Sequence, residues 1–284
     1  MITPKLQEIA SAIASGSAIP YIGPNVLSLE PATCHVPATP EDLVKLLTTK
    51  VSVPHKIRNN LTAAAQFIEN FKHRKSVVSL MTEAFSPSLT PNILHQFLAG
   101  LSKRPLLIVD TWYDDAMGKA LSDIASWGQI QGVSQSEHYG TWVNYFDAQG
   151  NESSELEADA WSIVLYKPLG SISPAKNFII SDSDFVEVLT EIDIQTPIPP
   201  RVKELRVGAN FLFIGCRFNN QLARTYARQV MKRSTDKHWA VIEGPLTRME
   251  KKFIEEQNIT QINMPLAEFV EWLISNKSQQ ALAA

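Results

Sequence analysis

Four short segments carry the residues best suited to chemistry. Tyr21-Ile22-Gly23-Pro24-Asn25-Val26 ends an apolar stretch in a glycine turn, and such a turn can aim backbone amides at a phosphate. Pro24 has no N–H, so the loop offers one donor fewer. Asn25 could supply a side-chain amide or act as a cap. Asp110-Thr111-Trp112-Tyr113-Asp114-Asp115 follows an apolar run directly. Its carboxylates could meet a ribose or cap the next helix, and capping is the commoner use. The third segment is Tyr166-Lys167-Pro168-Leu169-Gly170-Ser171 and the fourth is Gly215-Cys216-Arg217-Phe218-Asn219-Asn220. Gly215 would let a ligand approach the backbone closely. Arg217 could meet a phosphate or lie on the surface, and Cys216 reads as a buried, inert thiol.

Other chemistries lack their residues. There is no Walker phosphate loop, no Gly-x-Gly-x-x-Gly and no Gly-x-Ser-x-Gly elbow. No two of the six histidines stand at i, i+4, so a helical metal site is not expected. His95 falls between core positions and reads as structural. The run Lys72-His73-Arg74-Lys75 reads as a solvated face.

The elements that must position these turns follow from periodicity. Leu6, Ile9, Ala10 and Ile13 mark one face of a helix, with Gly16 as its stop. Thr39-Pro40-Glu41-Asp42 is a helix start, with a capping threonine and proline at the first helical position. Leu61, Ala64, Ala65, Ile68 and Phe71 mark another helix, and Thr90-Pro91 opens one more. Apolar runs at 105–109, 211–214 and 239–242 suit strands covered on both faces. From residue 211 the order is strand, helix, strand, helix, strand, helix. That order predicts an α/β fold, a Rossmann-like parallel sheet with helices on both faces. Ligands in such folds sit beyond the carboxyl ends of the strands, where the four turns lie. Residues 126–157, rich in Gly, Ser, Gln and Asn, read as a loop-rich insertion with a hairpin near Asp147-Ala148-Gln149-Gly150. Residues 1–278 are expected to form a single domain and 279–284 a frayed tail.

Composition bounds the function. The chain has 284 residues, 44% hydrophobic and 19% charged, with a formal net charge of -3. A chain this long buries enough surface to fold without staples. Its two cysteines, Cys34 and Cys216, exclude a disulfide framework and a four-cysteine zinc site. The near-neutral charge argues against a nucleic-acid surface over the whole molecule. No apolar run approaches the ~20 residues of a membrane helix, and the N-terminal segment does not read as a signal peptide. A cytoplasmic protein is expected.

Taken in order, the four turns resemble the sirtuin-like domain family, in its bacterial branch without the zinc module. Ile22-Gly23-Pro24-Asn25-Val26 takes the place of the family's Gly-Ala-Gly loop, and Thr111-Trp112-Tyr113-Asp114 that of Thr-Asn-Tyr-Asp. Lys167-Pro168-Leu169-Gly170-Ser171 takes the place of Lys-Leu-His-Gly-Ser. Ser183-Asp184-Phe185 and Phe213-Ile214-Gly215 follow in the expected order, so the likeness spans about residues 15 to 275. The resemblance implies nucleotide binding through Gly23, Pro24, Asn25, Val26, Thr111, Tyr113, Asp114, Gly170, Gly215, Cys216 and Arg217. It implies NAD or ADP-ribose as ligand and no zinc. The family's nicotinamide-orienting asparagine is here Trp112, and its general-base histidine is Leu169. Leucine takes no proton and an indole offers one donor. The expectation is a catalytically degenerate module, a pseudoenzyme binding an NAD-related nucleotide or a protein partner. Assembly with a second copy stays open. An active NAD glycohydrolase of the antiphage-defence type, with His138 or Asp114 as substitute base, is the first alternative. A pure interaction protein with a plugged cleft is the second.

Overall fold

The computed structural model describes residues 3–102, 106–194 and 198–282. Its strands are β1 (Ala18–Ile22), β2 (Leu106–Asp110), β3 (Trp127–Gly132), β4 (Val143–Asp147), β5 (Glu152–Ser153), β6 (Ile163–Lys167), β7 (Gly170–Ser171), β8 (Asn177–Phe178), β9 (Asn210–Ile214), β10 (His238–Val241) and β11 (Ile259–Ile262). The helices are α1 (Thr3–Ala14), α2 (Pro40–Lys50), α3 (Leu61–Lys72), α4 (Arg74–Phe85), α5 (Ile93–Ala99), α6 (Ala116–Ala120), α7 (Glu155–Ala158), α8 (Asp182–Ile194), α9 (Pro200–Leu205), α10 (Gln221–Met231), α11 (Arg248–Glu256) and α12 (Leu266–Leu282). One sheet runs in the order β11-β10-β9-β1-β2-β6-β3-β4-β5, and β7 pairs with β8 apart from it. Strands β11 to β3 in that order are parallel, and β4 and β5 close the edge antiparallel.

Period-2 alternation places side chains on two faces. Ile19, Tyr21, Phe211 and Phe213 enter a core with Phe185 of α8, Tyr226 of α10 and Phe253 of α11. Ala18, Ile22, Leu212 and Ile214 enter the opposite core with Ile9 of α1, Leu98 of α5 and Phe269 of α12. The sheet is therefore covered on both sides, as its apolar strands require. The C-terminal alternation of strand and helix stands as read from the sequence. A third core forms where α2, α3 and α4 pack over the turn after β2, around Leu47, Ile68, Met81, Trp112 and Tyr113. This helical layer stands over the carboxyl end of β2.

Several expectations are corrected. The helix placed at Thr90-Pro91 starts later, because Asn92 is the cap: its Oδ1 accepts from Leu94 N and His95 N at 3.1 and 3.2 Å. His95 Nδ1 accepts from Asn92 N in return. Residues 126–157 are half loop and half regular structure. They hold β3, β4, β5 and α7, and the hairpin at 147–150 joins β4 to β5. β3 escapes a hydrophobicity reading because its buried Gln129 and Gln131 are polar. Their amides donate to carbonyls of Ser173 and Ala175 at 2.9 and 2.6 Å. α12 is drawn to Leu282, and residues 283–284 lie outside the described set, as does Pro105. No helix among the described residues is long and apolar enough to cross a membrane.

Candidate functional site

Chain connections leave β1 toward β2 on one side, while β9 leads to β10 on the other. The crevice beyond β1, β2 and β9 is thus the topological switch point, the usual ligand site of such folds. A cleft of roughly 200 Å³ lies there, lined by Pro24, Asn25, Thr111, Trp112, Tyr113, Leu169, Cys216 and Arg217 among the expected residues. Tyr21, Glu41, Phe185, Phe218, Asn219 and Tyr226 also line it. Its volume is below the ~300–1,000 Å³ common for small-molecule sites. Gly23, Val26, Asp114, Gly170 and Gly215 do not line it.

The glycines explain why. Gly23 N donates to Ile214 O at 2.9 Å and Asn25 N donates to Gly215 O at 3.1 Å. Val26 N turns back to Gly23 O at 3.2 Å, and Pro24 has no N–H. The first turn therefore spends its amides on the turn after β9. A Cβ on Gly23 would stand 2.6 Å from Gly215 O, and one on Gly215, whose φ is +68°, 2.7 Å from Val26 N. These glycines let two backbones interlock rather than let a ligand approach. Gly170 serves the β7–β8 hairpin, where a Cβ would meet Asn177 O at 2.0 Å.

Charged candidates are spoken for as well. Arg217 makes a forked ion pair with Glu250, Nε to Oε1 at 2.9 Å and Nη2 to Oε2 at 3.0 Å. Its remaining donors reach the carbonyls of Glu243 and Pro245. Burial acts to raise the Glu250 carboxyl, but the amide and hydroxyl of Thr247 and the Arg217 guanidinium outweigh it and hold the group below its usual range. Asp114 Oδ1 accepts from Ala116 N at 2.9 Å, a turn bond one residue ahead of Asp115, the N-cap of α6. Thr111 bonds Ile22 O through both its amide and its hydroxyl. Burial pushes the Cys216 thiol well up, and Asp110 adds to that. A thiol so placed is inert.

Beneath the cleft lies a buried ion pair that the sequence shows only as motif letters. Lys167 Nζ meets Asp110 Oδ2 at 2.7 Å and donates to Asp114 O at 2.8 Å. Burial raises the Asp110 carboxyl to about 6 against the opposing pull of Lys167. Asp110 Oδ1 also accepts from Trp112 N, fixing the turn after β2.

Trp112 and Leu169 occupy different settings. The Trp112 indole is buried in the third core against Phe85 and Tyr113, and its Nε1 donates to Pro37 O at 2.8 Å. It ties the β2 turn to the helical layer. Leu169 is half-buried between two cores. His138, the other candidate base, lies exposed in the turn after β3 and does not line the cleft. No group of three or more His, Cys, Asp or Glu among the described residues is arranged to hold a metal ion.

An NAD-type nucleotide brings a diphosphate that needs amide donors or a free cation. The amides of the first turn are paired, and Arg217, the one cation among the lining residues, is paired with Glu250. The donors that remain for that group are at the N-terminus of α10, where Asn219, Asn220 and Ala223 line the cleft and the amides of Gln221 and Ala223 have no protein partner among the described residues. The cleft also offers the Tyr21 hydroxyl and the side-chain amides of Asn25 and Asn219, none of which has a protein partner among the described residues.

No curated protein matches the chain. The family model of the SIR2-like domain matches residues 106–262, more than half of the chain, from β2 through β11. This NAD-related family takes in the turns after β2, β6 and β9 that carry the resemblance, and the chain belongs to the SIR2-like domain family.

Proposed function

We propose that this SIR2-like domain is a non-catalytic binding module, one that engages a nucleotide-derived ligand, or a protein partner, without consuming NAD. One observation carries the reading: among the described residues lining the cleft, no buried group is free to take a proton from a ribose hydroxyl, and the one carboxylate, Glu41, is exposed. The resemblance puts Leu169 where the family has its base. Tyr21, Tyr113, Tyr226 and Cys216 line the cleft but burial raises all four, so none is a base near neutral pH. Glu41 is exposed in the first turn of α2, and Asp114 is buried and turned to the Ala116 amide. Loss of a positioned base alone lowers rates by about 10²–10⁴-fold.

The test is chromatographic. NAD incubated with the intact chain should release no nicotinamide above the uncatalysed background. Release at enzyme-like rates would overturn the reading in favour of an NAD glycohydrolase of the defence type. Leu169→His is the informative variant, because Leu169 is half-buried and lines the cleft. It should stay folded and remain inactive, since an imidazole alone does not replace the orienting amide.

A further inference from the structure

A second cavity, of roughly 410 Å³, lies at the opposite end of the sheet from the cleft, where the chain enters β10 and β11. Its size falls within the ~300–1,000 Å³ usual for small-molecule sites. Residues 231–236, between α10 and β10, form one wall, and residues 256–258, ahead of β11, form another. Cations gather around it. Arg228, Lys232 and Arg233 line it. Arg206 stands behind the wall, where its Nη1 donates to Gln229 O and Val230 O at 2.8 and 3.0 Å. Burial first, then Arg206 and Arg233, lowers Lys203 from its usual value against the opposing pull of Glu155, so these three cations share one neighbourhood. The carboxylates lining the cavity are Asp236 and Glu256, and Glu256 reaches Arg228 only at 3.7 Å. Lys203, Arg206, Lys232 and Arg233 meet no carboxylate within ion-pair distance among the described residues.

Cations at this end of α10 can serve simply to offset the negative end of the helix dipole. Arg206 already does that for two of the last carbonyls, and it is only 2% exposed, with an Nε that has no partner. Three further cations exceed that task. Arg233 is also poorly suited to a purely structural role. Its φ is +70°, left-handed backbone that suits glycine after a helix and is costly for arginine. Its guanidinium and its amide have no hydrogen-bond partner among the described residues, so no such contact offsets that cost. Lys232 Nζ is free in the same sense.

We propose that this cavity binds a multivalent phosphate anion carried on a small molecule, with Arg233 and Lys232 as its cation donors. Arginine matches the oxygens of such a group with its planar fork, and lysine adds a point charge. Asp236 and Glu256 lower the local charge but do not reverse it, because five cations stand against three carboxylates, Glu155 included. The site is separate from the cleft, and turnover of NAD there has no bearing on it.

Calorimetric titration of the intact chain with pyrophosphate at low salt, free of divalent cations, tests this. Pyrophosphate should bind about tenfold more tightly than sulfate at matched ionic strength. No binding, or equal affinity for sulfate, would overturn the proposal. Because the N-terminus of α10 also offers amides to an anion, hydrogen exchange locates the ligand. Amides 232–237 should gain protection, and protection confined to 219–223 would place the anion in the cleft and sink the proposal. Arg233→Gly should weaken pyrophosphate about tenfold while the free chain melts no lower than the native one, because glycine relieves the left-handed backbone. A lower melting temperature at unchanged affinity would make Arg233 a strut for the end of α10 and not a ligand residue. Lys232→Gln, at an exposed position, should weaken pyrophosphate about threefold. Unchanged affinity in both variants would refute the site.

Discussion

Arg217 shows how a residue with the right type and place for a ligand can belong to the frame. Its guanidinium joins the turn after β9 to Glu250 of α11, which is fully buried and also accepts from Phe218 N. Arg217→Ala would leave that carboxylate buried beside a lost partner, so the chain should lose about 3 kcal/mol, read as a lower urea midpoint. A phosphate-binding arginine would leave the midpoint nearly unchanged. The sequence shows Arg217 next to a glycine turn but not Glu250, which is 33 positions away. Nothing local links the two, so only the fold reveals the pair. The opposite holds at Trp112 and Leu169, whose apolar types are visible at once. What the sequence hides is their unequal roles. Trp112→Asn removes an indole packed against Phe85 and Tyr113, and should cost roughly 3–5 kcal/mol. Restoring a family residue there would therefore damage the molecule before it could repair a site, as a thermal melt of the variant would show.

Among elements, the caps and glycine turns decide the geometry. His95 closes the first turn of α5 by accepting from Asn92 N, which requires a neutral imidazole. Burial lowers its pKa to about 4, with Asp114 opposing and Lys167 assisting. A histidine with a depressed folded pKa contributes stability that is present above about pH 6.5 and is lost as pH falls toward 4. Asp110, raised to about 6, acts with the opposite sign across part of that window. The difference in unfolding free energy between the native chain and His95→Gln isolates the first effect. It should grow by up to about 3 kcal/mol from pH 4 to 6.5, and a flat difference would mean that His95 is charged in the fold. Helix starts were legible at Thr39, whose hydroxyl accepts from Asp42 N. At Thr90-Pro91 the true cap lay two residues on. β3 was illegible because Gly128 and Gly132 make room for Trp161 and for Pro168 O, and its glutamines bond to carbonyls. A strand built by close approach and buried amides leaves no apolar run to read.

On the scale of the whole molecule, one charged side chain joins the helical layer to β8, the turn after β3 and α8. Arg74 sits in the run 72–75 that reads as a solvated face, yet its side chain is only 12% exposed. Nη1 reaches Asp184 at 2.8 Å and Glu69 at 3.4 Å, Nε reaches Glu137 at 3.1 Å, and Nη2 donates to Phe178 O. Asp184, fully buried, accepts also from Ile180 N, Ser181 N and Ser134 Oγ. Four segments converge: the α3–α4 joint, the turn after β3, β8 and the start of α8. Two of them carry cleft residues, Leu61 and Thr62 on α3 and Phe185 on α8. Arg74 thus fixes the width of the cleft from outside it. Removing the guanidinium leaves Asp184 buried with its amide donors but without a counter-charge, and leaves Glu69 and Glu137 facing it. That arrangement favours separation of α3 from α8 over collapse, because separation readmits water to the carboxylates. Hydrogen exchange on Arg74→Met should therefore show lost protection across α2, α3 and α4. The inner strands β1 and β9 and the opposite helices α1 and α12, which share no core with Arg74, should exchange as before. Uniform loss of protection over both regions would mean that the layer and the sheet unfold as one unit, and that Arg74 is not a clamp between two.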